Sequence, residues 1–284
     1  MTKFLKKIIN LLYSIKNSHF LLKIIHNKNK LFFKKKYDIS KKIIVRRSDG
    51  FKKVSFTKNK NYNEAINFIR KKYKINSIIK KSKSKKGFLK VINLNIFENN
   101  SIYKLANDKF IIDALSNYFE SIPILYNAQL WVSKPNKTKE HSQLFHFDRE
   151  DYLQMKVFFP ISEIDQESGP IKLINAKQSR EFLIKCLKTF KVVSLKDRHS
   201  DKFVFDKIKN PRIVEMTTKE NEAILVDTTN CIHYGSRSSK KKKYQLLLHY
   251  VTPYSPKVFN HLIKNDINNI NTMSYLASSN QIHS

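Results

Sequence analysis

The feature that most constrains the fold is a succession of short apolar or alternating segments in the second half of the chain. From about Ile122 these segments follow one another with only turn signals between them, and they read LYNAQLWV, QLFHFD, YLQMKVFFPI, PIKLIN, RIVEMTT, EAILVDT and YQLLLHYV. So many strand-like segments without long intervening helices favour an antiparallel sandwich or barrel over βαβ units. We therefore predict a mainly β fold with flanking helices.

Around this β region the chain divides into three parts. Residues 1–60 are a basic leader that we predict to be helical or partly disordered, and residues 256–284 are an Asn- and Ser-rich tail that we expect at the periphery. Residues 61–255 lie between them. A chain of 284 residues with 41% hydrophobic residues can bury a substantial core, so we predict that 61–255 forms one domain.

The predicted domain has a helical part followed by a β core. Residues 61–120 contain two helix-like stretches, Asn63–Lys74 and Ser101–Phe119, which we expect to support the sheets. Residues 121–255 form the core. Within the core, residues 177–210 are a helix-and-loop insert that we expect to cover its mouth.

The charge of the chain is strongly positive, with Lys+Arg 55 against Asp+Glu 23, a formal net charge of +32 and a pI near 10.0. Arginine is scarce and most of the excess is lysine, while Asn, Ile, Phe and Tyr are abundant and glycine is rare. AT-rich coding produces this composition in any protein, so a solvated lysine surface is the simpler interpretation. We do not expect nucleic acid to be the main partner, and a dedicated polyanion-binding face stays open as an alternative.

The N-terminal segment is amphipathic but does not have the pattern of a membrane span. Lysines interrupt its apolar residues every few positions and no small-residue cleavage site follows, so neither a signal peptide nor a transmembrane helix is indicated. The apolar residues on one helical face are Phe4, Ile8, Leu11, Leu12 and Ile15. We expect this helix to dock on its own domain, and a peripheral membrane contact is the alternative.

Several function classes lack their residues in this chain. The two cysteines, Cys186 and Cys231, are too few and too far apart for a Cys-x-x-Cys metal site or a disulfide framework. A reducing compartment fits this cysteine usage best, so we expect a cytoplasmic protein. The chain contains neither a Gly-x-Ser-x-Gly elbow nor a glycine-rich phosphate loop, which excludes the common serine hydrolases and NTPases.

The sharpest chemical feature is the sequence His146-Phe147-Asp148 at the end of a strand-like segment. Residues two apart on a strand point to the same side, so an imidazole and a carboxylate reach one point. A second histidine from a distant strand would complete two nitrogens and one oxygen on one face of an octahedral iron(II). His233 is the candidate, because it follows the buried-strand pattern AILVDTTNC and precedes a turn signal.

Two of the four glycines lie near these candidate ligands in the sequence. Gly169 opens the segment SGPIKLIN, and Gly235 follows His233 by two residues. Because the composition of the chain disfavours glycine, we expect both positions to require its backbone freedom.

A family resemblance covers about residues 122–255. The stretches that carry it are QLFHFDREDYLQMKVFFPISEIDQESGPIKLINAKQS and EAILVDTTNCIHYGSRSSKKKKYQLLLHYVTP, in that order. They resemble the phytanoyl-CoA dioxygenase-like family of iron(II)/2-oxoglutarate oxygenases. The resemblance implies a double-stranded β-helix, the cupin-like jelly roll, with His146, Asp148 and His233 as the metal ligands and catalytic centre.

The resemblance also implies a basic residue near the start of the last strand, which pairs with the distal carboxylate of 2-oxoglutarate. This residue is usually Arg in the family, and counting back from His249 places Lys243 there. Lys243 offers a point charge in place of the bidentate fork of Arg, so Arg237 is the alternative anchor, and a solvated turn without an anchor is the third reading. By similarity, we expect Gln129 and Ser236 as further contacts to the co-substrate.

The expected activity is that of a non-haem iron(II) dioxygenase with 2-oxoglutarate and O₂ as co-substrates, hydroxylating a small or carrier-linked organic substrate. Two other classes stay open. The first is a non-catalytic jelly-roll binding protein that has lost co-substrate capture with the missing Arg. The second is a basic protein that binds nucleic acid or a membrane surface through its lysine-rich N-terminal third.

Overall fold

The computed structural model describes most of the chain between residues 41 and 255. The described ranges are 23–24, 26–28, 41–74, 89–95, 99–188, 198–237 and 239–255. The predicted N-terminal amphipathic helix and the tail 256–284 lie outside the described residues. Within the described ranges, no helix has the length and apolar character that crossing a membrane requires.

Five α-helices flank the sheets in the described ranges between residues 41 and 255. They are α1 (Lys60–Lys72), α2 (Asn100–Ala106), α3 (Lys109–Phe119), α4 (Ala176–Lys188) and α5 (Asp201–Lys207). The first of them begins where Asn59 accepts a hydrogen bond from the backbone N–H of Tyr62 at 2.8 Å, an N-cap that offsets one unpaired helical donor. The predicted stretch Asn63–Lys74 is therefore helical over most of its length.

The second predicted helix, Ser101–Phe119, is divided in two. The division falls at Asn107 and Asp108, and the Asp108 carboxylate accepts from the backbone N–H of Phe110 at 3.0 Å to cap α3. The same carboxylate accepts from the amides of Asn59 and Asn61, each at 2.9 Å. A cap residue that is also fixed by α1 ends one helix and starts the next, which apolar periodicity alone does not reveal.

Within the described ranges, nine strands form two antiparallel sheets. They are β1 (Phe51–Ser55), β2 (Leu89–Asn93), β3 (Ile124–Ser133), β4 (Gln154–Pro160), β5 (Lys172–Ile174), β6 (Ile213–Glu215), β7 (Glu222–Val226), β8 (His233–Tyr234) and β9 (Lys243–Val251). The larger sheet has the order β1-β7-β4-β9-β3-β2, and the smaller has the order β6-β5-β8. This two-sheet arrangement confirms the predicted mainly β jelly roll with flanking helices.

Strands β1 and β2 lie where the sequence predicts other structure. Residues 51–55 belong to the predicted basic leader, yet they pair with β7 in register from Phe51↔Val226. Residues 89–93 belong to the predicted helical part, yet they pair with β3. Both are edge strands: β1 exposes Lys52 and Lys53, and β2 exposes Val91 and Asn93, so their sequences carry little of the alternation by which a half-buried strand is recognised.

The two faces of the larger sheet have different partners. Tyr244, Leu246, Leu248 and Tyr250 of β9 pack in the core formed with the helices. Leu247, between them in sequence, packs with residues of the smaller sheet such as Leu173. Successive residues alternate across a strand, so Lys243, Gln245 and His249 share one face with Leu247, as the alternation in the sequence KYQLLLHYV indicates. We call this side, which faces the smaller sheet, the inner face.

Candidate metal centre

Backbone pairing between two distant segments places the two candidate histidines side by side. His146 lies outside the regular strands but forms an isolated antiparallel bridge with His233 of β8. The backbone N–H of each residue donates to the carbonyl of the other at 3.0 Å. The imidazole centroids are consequently 4.3 Å apart, on the edge of the smaller sheet.

Each imidazole is held by its Nδ1 atom. Nδ1 of His146 lies 2.8 Å from the carbonyl oxygen of Leu144, and Nδ1 of His233 lies 2.9 Å from the carbonyl oxygen of Cys231. A carbonyl only accepts, so Nδ1 carries the proton in both rings and Nε2 keeps its lone pair. Such second contacts commonly fix the tautomer and orientation of metal-binding histidines.

The Nε2 atoms of both rings face the carboxylate of Asp148. Nε2 of His146 is 3.8 Å from Oδ1, and Nε2 of His233 is 3.5 Å from Oδ2. One ligand atom from each residue lies within 4.8 Å of the other two, and all three side chains are at least half-buried. The predicted constellation of His146, Asp148 and His233 is therefore assembled in space.

The charge states of the three groups suit a divalent cation. Burial and the neighbouring His233 lower the pKa of His146 to about 3, and burial also lowers the pKa of His233. Both rings are thus neutral at pH 7. Burial acts to raise the pKa of Asp148, but the Lys156 ammonium and the two imidazoles outweigh it and hold the pKa well below its usual range. Two neutral nitrogens and one carboxylate oxygen are the donor set of a facial triad.

Lys156 was missed by the sequence analysis and belongs to this centre. Its Nζ atom lies 2.7 Å from Oδ2 of Asp148, and its side chain is buried. Burial acts to lower its pKa, but the carboxylates of Asp148 and Glu150 outweigh burial and raise it above the ordinary lysine value. The signal in the sequence was a single lysine within the otherwise uncharged strand QMKVFFP.

A turn after β7 supports both metal-binding segments. The carbonyl of Thr228 accepts from the backbone N–H of Asp148 at 2.9 Å. Asp227 is buried and accepts from the backbone N–H groups of Thr229 and Asn230, each at 3.1 Å, and from the Tyr118 hydroxyl at 2.8 Å. This side chain organises the turn that delivers Cys231 and His233 to the centre.

Lys243 lies on the inner face of the larger sheet, which also carries Lys156, the partner of Asp148. Lys156 is directly opposite His249 in the β4–β9 register, and His249 shares its face with Lys243. Lys243 is 5% exposed, and its Nζ donates to the carbonyl of Gly169 at 2.5 Å and to Oγ of Ser236 at 2.8 Å. Burial lowers its pKa to about 7. In the described part of the chain, no carboxylate forms an ion pair with this ammonium.

The other predicted co-substrate contacts have different surroundings. Arg237 forms an ion pair with Asp201 at 2.8 Å, donates to the carbonyl of Gln143 and stacks on the ring of Tyr234. Arg237 therefore links α5, through Asp201, to the segments that carry Gln143 and Tyr234. Gln129 lies on β3 and is hydrogen-bonded to Asn93 and Trp131.

The two glycines near the site differ. Gly169 has φ +66°, and a Cβ atom there would lie 3.0 Å from Cβ of Ser239 and 3.1 Å from Cα of Ser236. The prediction that this position requires glycine is thus confirmed. Gly235 has no positive φ and nothing within 4 Å of an added Cβ, so the same expectation is wrong there.

Comparison with solved structures finds proteins of the same fold, two of them with iron bound. The epimerase SnoN, in complex with Fe³⁺, alpha ketoglutarate and nogalamycin RO, aligns over 83% of this chain and 90% of its own, with TM-score 0.51 and 12% identity. AviO1 from Streptomyces viridochromogenes Tue57 aligns over 74% of this chain and 93% of its own, with TM-score 0.51 and 11% identity. EctD from S. alaskensis with bound Fe aligns over 73% and 74%, with TM-score 0.50 and 13% identity.

No protein-family model matches the sequence, and no curated protein matches it. At 11–13% identity the likeness to the solved structures is one of fold. The chain thus has the jelly-roll fold of these proteins, two of which were crystallised with iron. Membership of the phytanoyl-CoA dioxygenase-like family remains an expectation.

Proposed function

We propose that this protein is an iron(II)- and 2-oxoglutarate-dependent oxygenase. The observation that carries the proposal is the centre of His146, Asp148 and His233, in which two neutral imidazoles turn their free Nε2 atoms towards an ionised carboxylate. This donor set fits Fe(II) and would leave coordination positions for a co-substrate and for O₂. The iron-containing structures of the same fold agree with the proposal.

Lys243 is the proposed anchor of the distal carboxylate of 2-oxoglutarate. It is a buried cation on the inner face that also carries Lys156, the partner of Asp148, and within the described residues its ammonium is hydrogen-bonded only to neutral oxygens, from Gly169 and Ser236. Burying a lone charge costs free energy, which an incoming carboxylate would offset. Ser236 and Gln129 are the proposed further contacts. The involvement of Arg237 in an ion pair with Asp201 favours Lys243 over Arg237 as this anchor.

When bound, iron(II) with 2-oxoglutarate and O₂ supplies an oxidant strong enough to break a C–H bond, and hydroxylation of a small or carrier-linked organic substrate is the proposed outcome. The protein contributes the remaining functions. His146, Asp148 and His233 hold the metal, Lys243 orients the co-substrate, and the apolar residues between the sheets keep water from the reacting atoms. The buried free thiols of Cys186 and Cys231 fit the cytoplasm, where we place the protein.

The test is an anaerobic titration of the purified protein with iron(II) and then with 2-oxoglutarate. We expect the weak visible charge-transfer band of 2-oxoglutarate chelated to a facial-triad iron. His146→Ala should abolish the band and Lys243→Ala should weaken it at limiting 2-oxoglutarate. The matched controls are His141→Ala and Lys242→Ala, because both side chains are exposed neighbours in sequence.

Two results would contradict the proposal. If iron binds equally well to wild-type protein and His146→Ala, the metal centre is elsewhere. If iron binds in a His146-dependent manner but millimolar 2-oxoglutarate produces no band, the change from Arg to Lys has disabled co-substrate capture. The protein would then be a metal-containing jelly-roll binding protein without oxygenase activity.

A further inference from the structure

Two adjoining pockets lie on either side of the turn 46–49, away from the proposed metal ligands. The carbonyls of Ser48 and Asp49 accept from the backbone N–H groups of Lys177 and Ala176 at 2.9 and 3.0 Å, which ties the turn to the start of α4. A pocket of about 320 Å³ lies on the α4 side, and a pocket of about 440 Å³ lies on the β1 side. Each has room for a phosphoryl group with its nearest substituents.

The lining of these pockets is strongly cationic. Seven basic side chains face two acidic ones, Asp49 and Glu181; the basic residues are Arg46, Arg47, Lys52, Lys53, Lys177, Arg180 and Arg212. Three of the seven have partners: Arg46 pairs with Asp49, Lys53 pairs with Glu222, and Arg47 stacks on Tyr118. For the other four, no ion pair occurs among the residues that the structure describes.

The kind of cation distinguishes these pockets from the lysine-rich surface of the whole chain. The sequence has 8 arginines among its 55 basic residues, which leaves 47 lysines. All 8 arginines but only 30 of the lysines lie in the described ranges; four of these arginines line the two pockets, against three of these lysines. A surface that is basic only by composition would present lysine in proportion. Arg70 and Arg237, by contrast, donate to the backbone carbonyls of Ile161 and Gln143 and have a structural role.

Arginine concentrated in concave sites indicates a phosphate ligand. The planar guanidinium donates two parallel hydrogen bonds to phosphoryl oxygens, which the lysine ammonium does not. The turn 46–49 separates the two pockets, so the surface has two discrete anion sites rather than one continuous track for a nucleic-acid backbone. A small molecule with two phosphoryl groups fits two separate cationic sites better than a polymer does.

We propose that the two pockets form a binding site for a phosphorylated small molecule, with Arg180 and Lys177 contacting one phosphoryl group and Arg212 and Lys52 contacting another. The site is separate from the metal centre and does not depend on the proposed oxygenase activity. Cys231 lies between the two, because its thiol contacts the carbonyl of Asp49 and its carbonyl holds the Nδ1 atom of His233.

The test is isothermal titration calorimetry of the full-length protein, without added metal, with inorganic pyrophosphate as the probe. We expect saturable binding near physiological ionic strength. The double variant Arg180→Gln/Arg212→Gln should weaken it by about tenfold or more, and Arg180→Lys/Arg212→Lys should have an intermediate effect because charge is kept and the fork is lost. His146→Ala should bind pyrophosphate as the wild type does, whatever becomes of the metal centre.

The matched control is Lys202→Gln/Lys209→Gln, which removes two exposed charges elsewhere on the surface. An equal loss of affinity in this control would mean that only net charge matters and would overturn the proposal. Absence of saturable pyrophosphate binding up to about 5 mM would also overturn the proposal. A Kd of about 5 mM corresponds to a binding free energy of only about 3 kcal/mol. So would tight binding of a single-stranded oligonucleotide with a steep salt dependence and no pyrophosphate binding, which would assign the surface to nucleic acid instead.

Discussion

The Nζ atom of Lys156 lies 2.7 Å from Oδ2 of Asp148, so a buried lysine is paired with a carboxylate of the metal centre. The Lys156 ammonium places one positive charge beside Asp148. A divalent cation bound by Asp148 would add a second positive charge there. Asp148 is thereby kept ionised in the protein without metal, and its carboxylate is held in one orientation. Lys156 is accordingly a positioning residue for a metal ligand.

Replacement of Lys156 should change stability and metal binding in opposite directions. Lys156→Met leaves a buried carboxylate without its partner, so we expect the free energy of unfolding without metal to fall by about 3–5 kcal/mol. The substitution also removes the Lys156 ammonium, which would repel a divalent ion. The rise in Tm on adding Fe(II) or Co(II) should therefore be larger than in the wild type. Thermal unfolding with and without metal measures both effects.

The control for this substitution is Lys172→Met. Lys172 pairs with Glu215 at 3.2 Å, but both side chains are partly exposed to solvent, so the loss should be below about 1 kcal/mol. A metal-induced rise in Tm that is smaller in Lys156→Met than in the wild type would show that orientation of Asp148 outweighs the repulsion between the two cations.

The affinity for 2-oxoglutarate should depend on pH through Lys243. Burial lowers the pKa of this lysine to about 7, and a bound carboxylate would raise it again. Binding therefore takes up a proton above pH 7, and the affinity should be greatest below pH 7 and fall by up to about tenfold per pH unit above it. Calorimetry in buffers of different ionisation enthalpy at pH 8 measures the proton uptake.

Lys243→Arg is the informative companion to that experiment. The guanidinium stays protonated and binds a carboxylate with two hydrogen bonds, so the variant should bind 2-oxoglutarate more tightly and without pH dependence between 7 and 9. A wild-type affinity that is constant across this range would exclude Lys243 as the anchor.

The Asp227 carboxylate should be essential to the turn that carries His233. It is buried and accepts hydrogen bonds from Tyr118 and from the backbone of Thr229 and Asn230. Asp227→Ala leaves these donors unpaired, and we expect a loss of about 2–4 kcal/mol in urea unfolding together with weaker metal binding. Asp113→Ala, which removes an exposed ion pair with Lys109, should cost less than about 0.5 kcal/mol.

A methyl group at position 169 should disturb the proposed co-substrate anchor. Gly169 has φ +66°, and an added Cβ would meet Ser239 and Ser236 at 3.0 and 3.1 Å. We expect Gly169→Ala to destabilise the fold by about 1–3 kcal/mol and to weaken 2-oxoglutarate binding, because the Gly169 carbonyl holds Lys243. Gly235→Ala has open space around it and should leave both quantities nearly unchanged; equal effects of the two would contradict this account.

The sequence by itself determined which residues share one face of the last strand and which two ligands lie close together. Alternation along KYQLLLHYV placed Lys243 and His249 on one face, and the spacing of His146 and Asp148 placed two ligands at one point. Such features depend on residues within a few positions of one another, where the geometry of a strand is fixed by the backbone.

Tertiary structure alone decided which distant groups meet. His233 becomes a neighbour of His146 through a single backbone bridge from a two-residue strand, and Lys156 reaches Asp148 from the opposite sheet. The same packing directs Arg237 to Asp201, where no local pattern places it. Pairing between strands depends on the register and twist of whole sheets and on the burial of many side chains at once, and a short stretch of sequence does not contain that information.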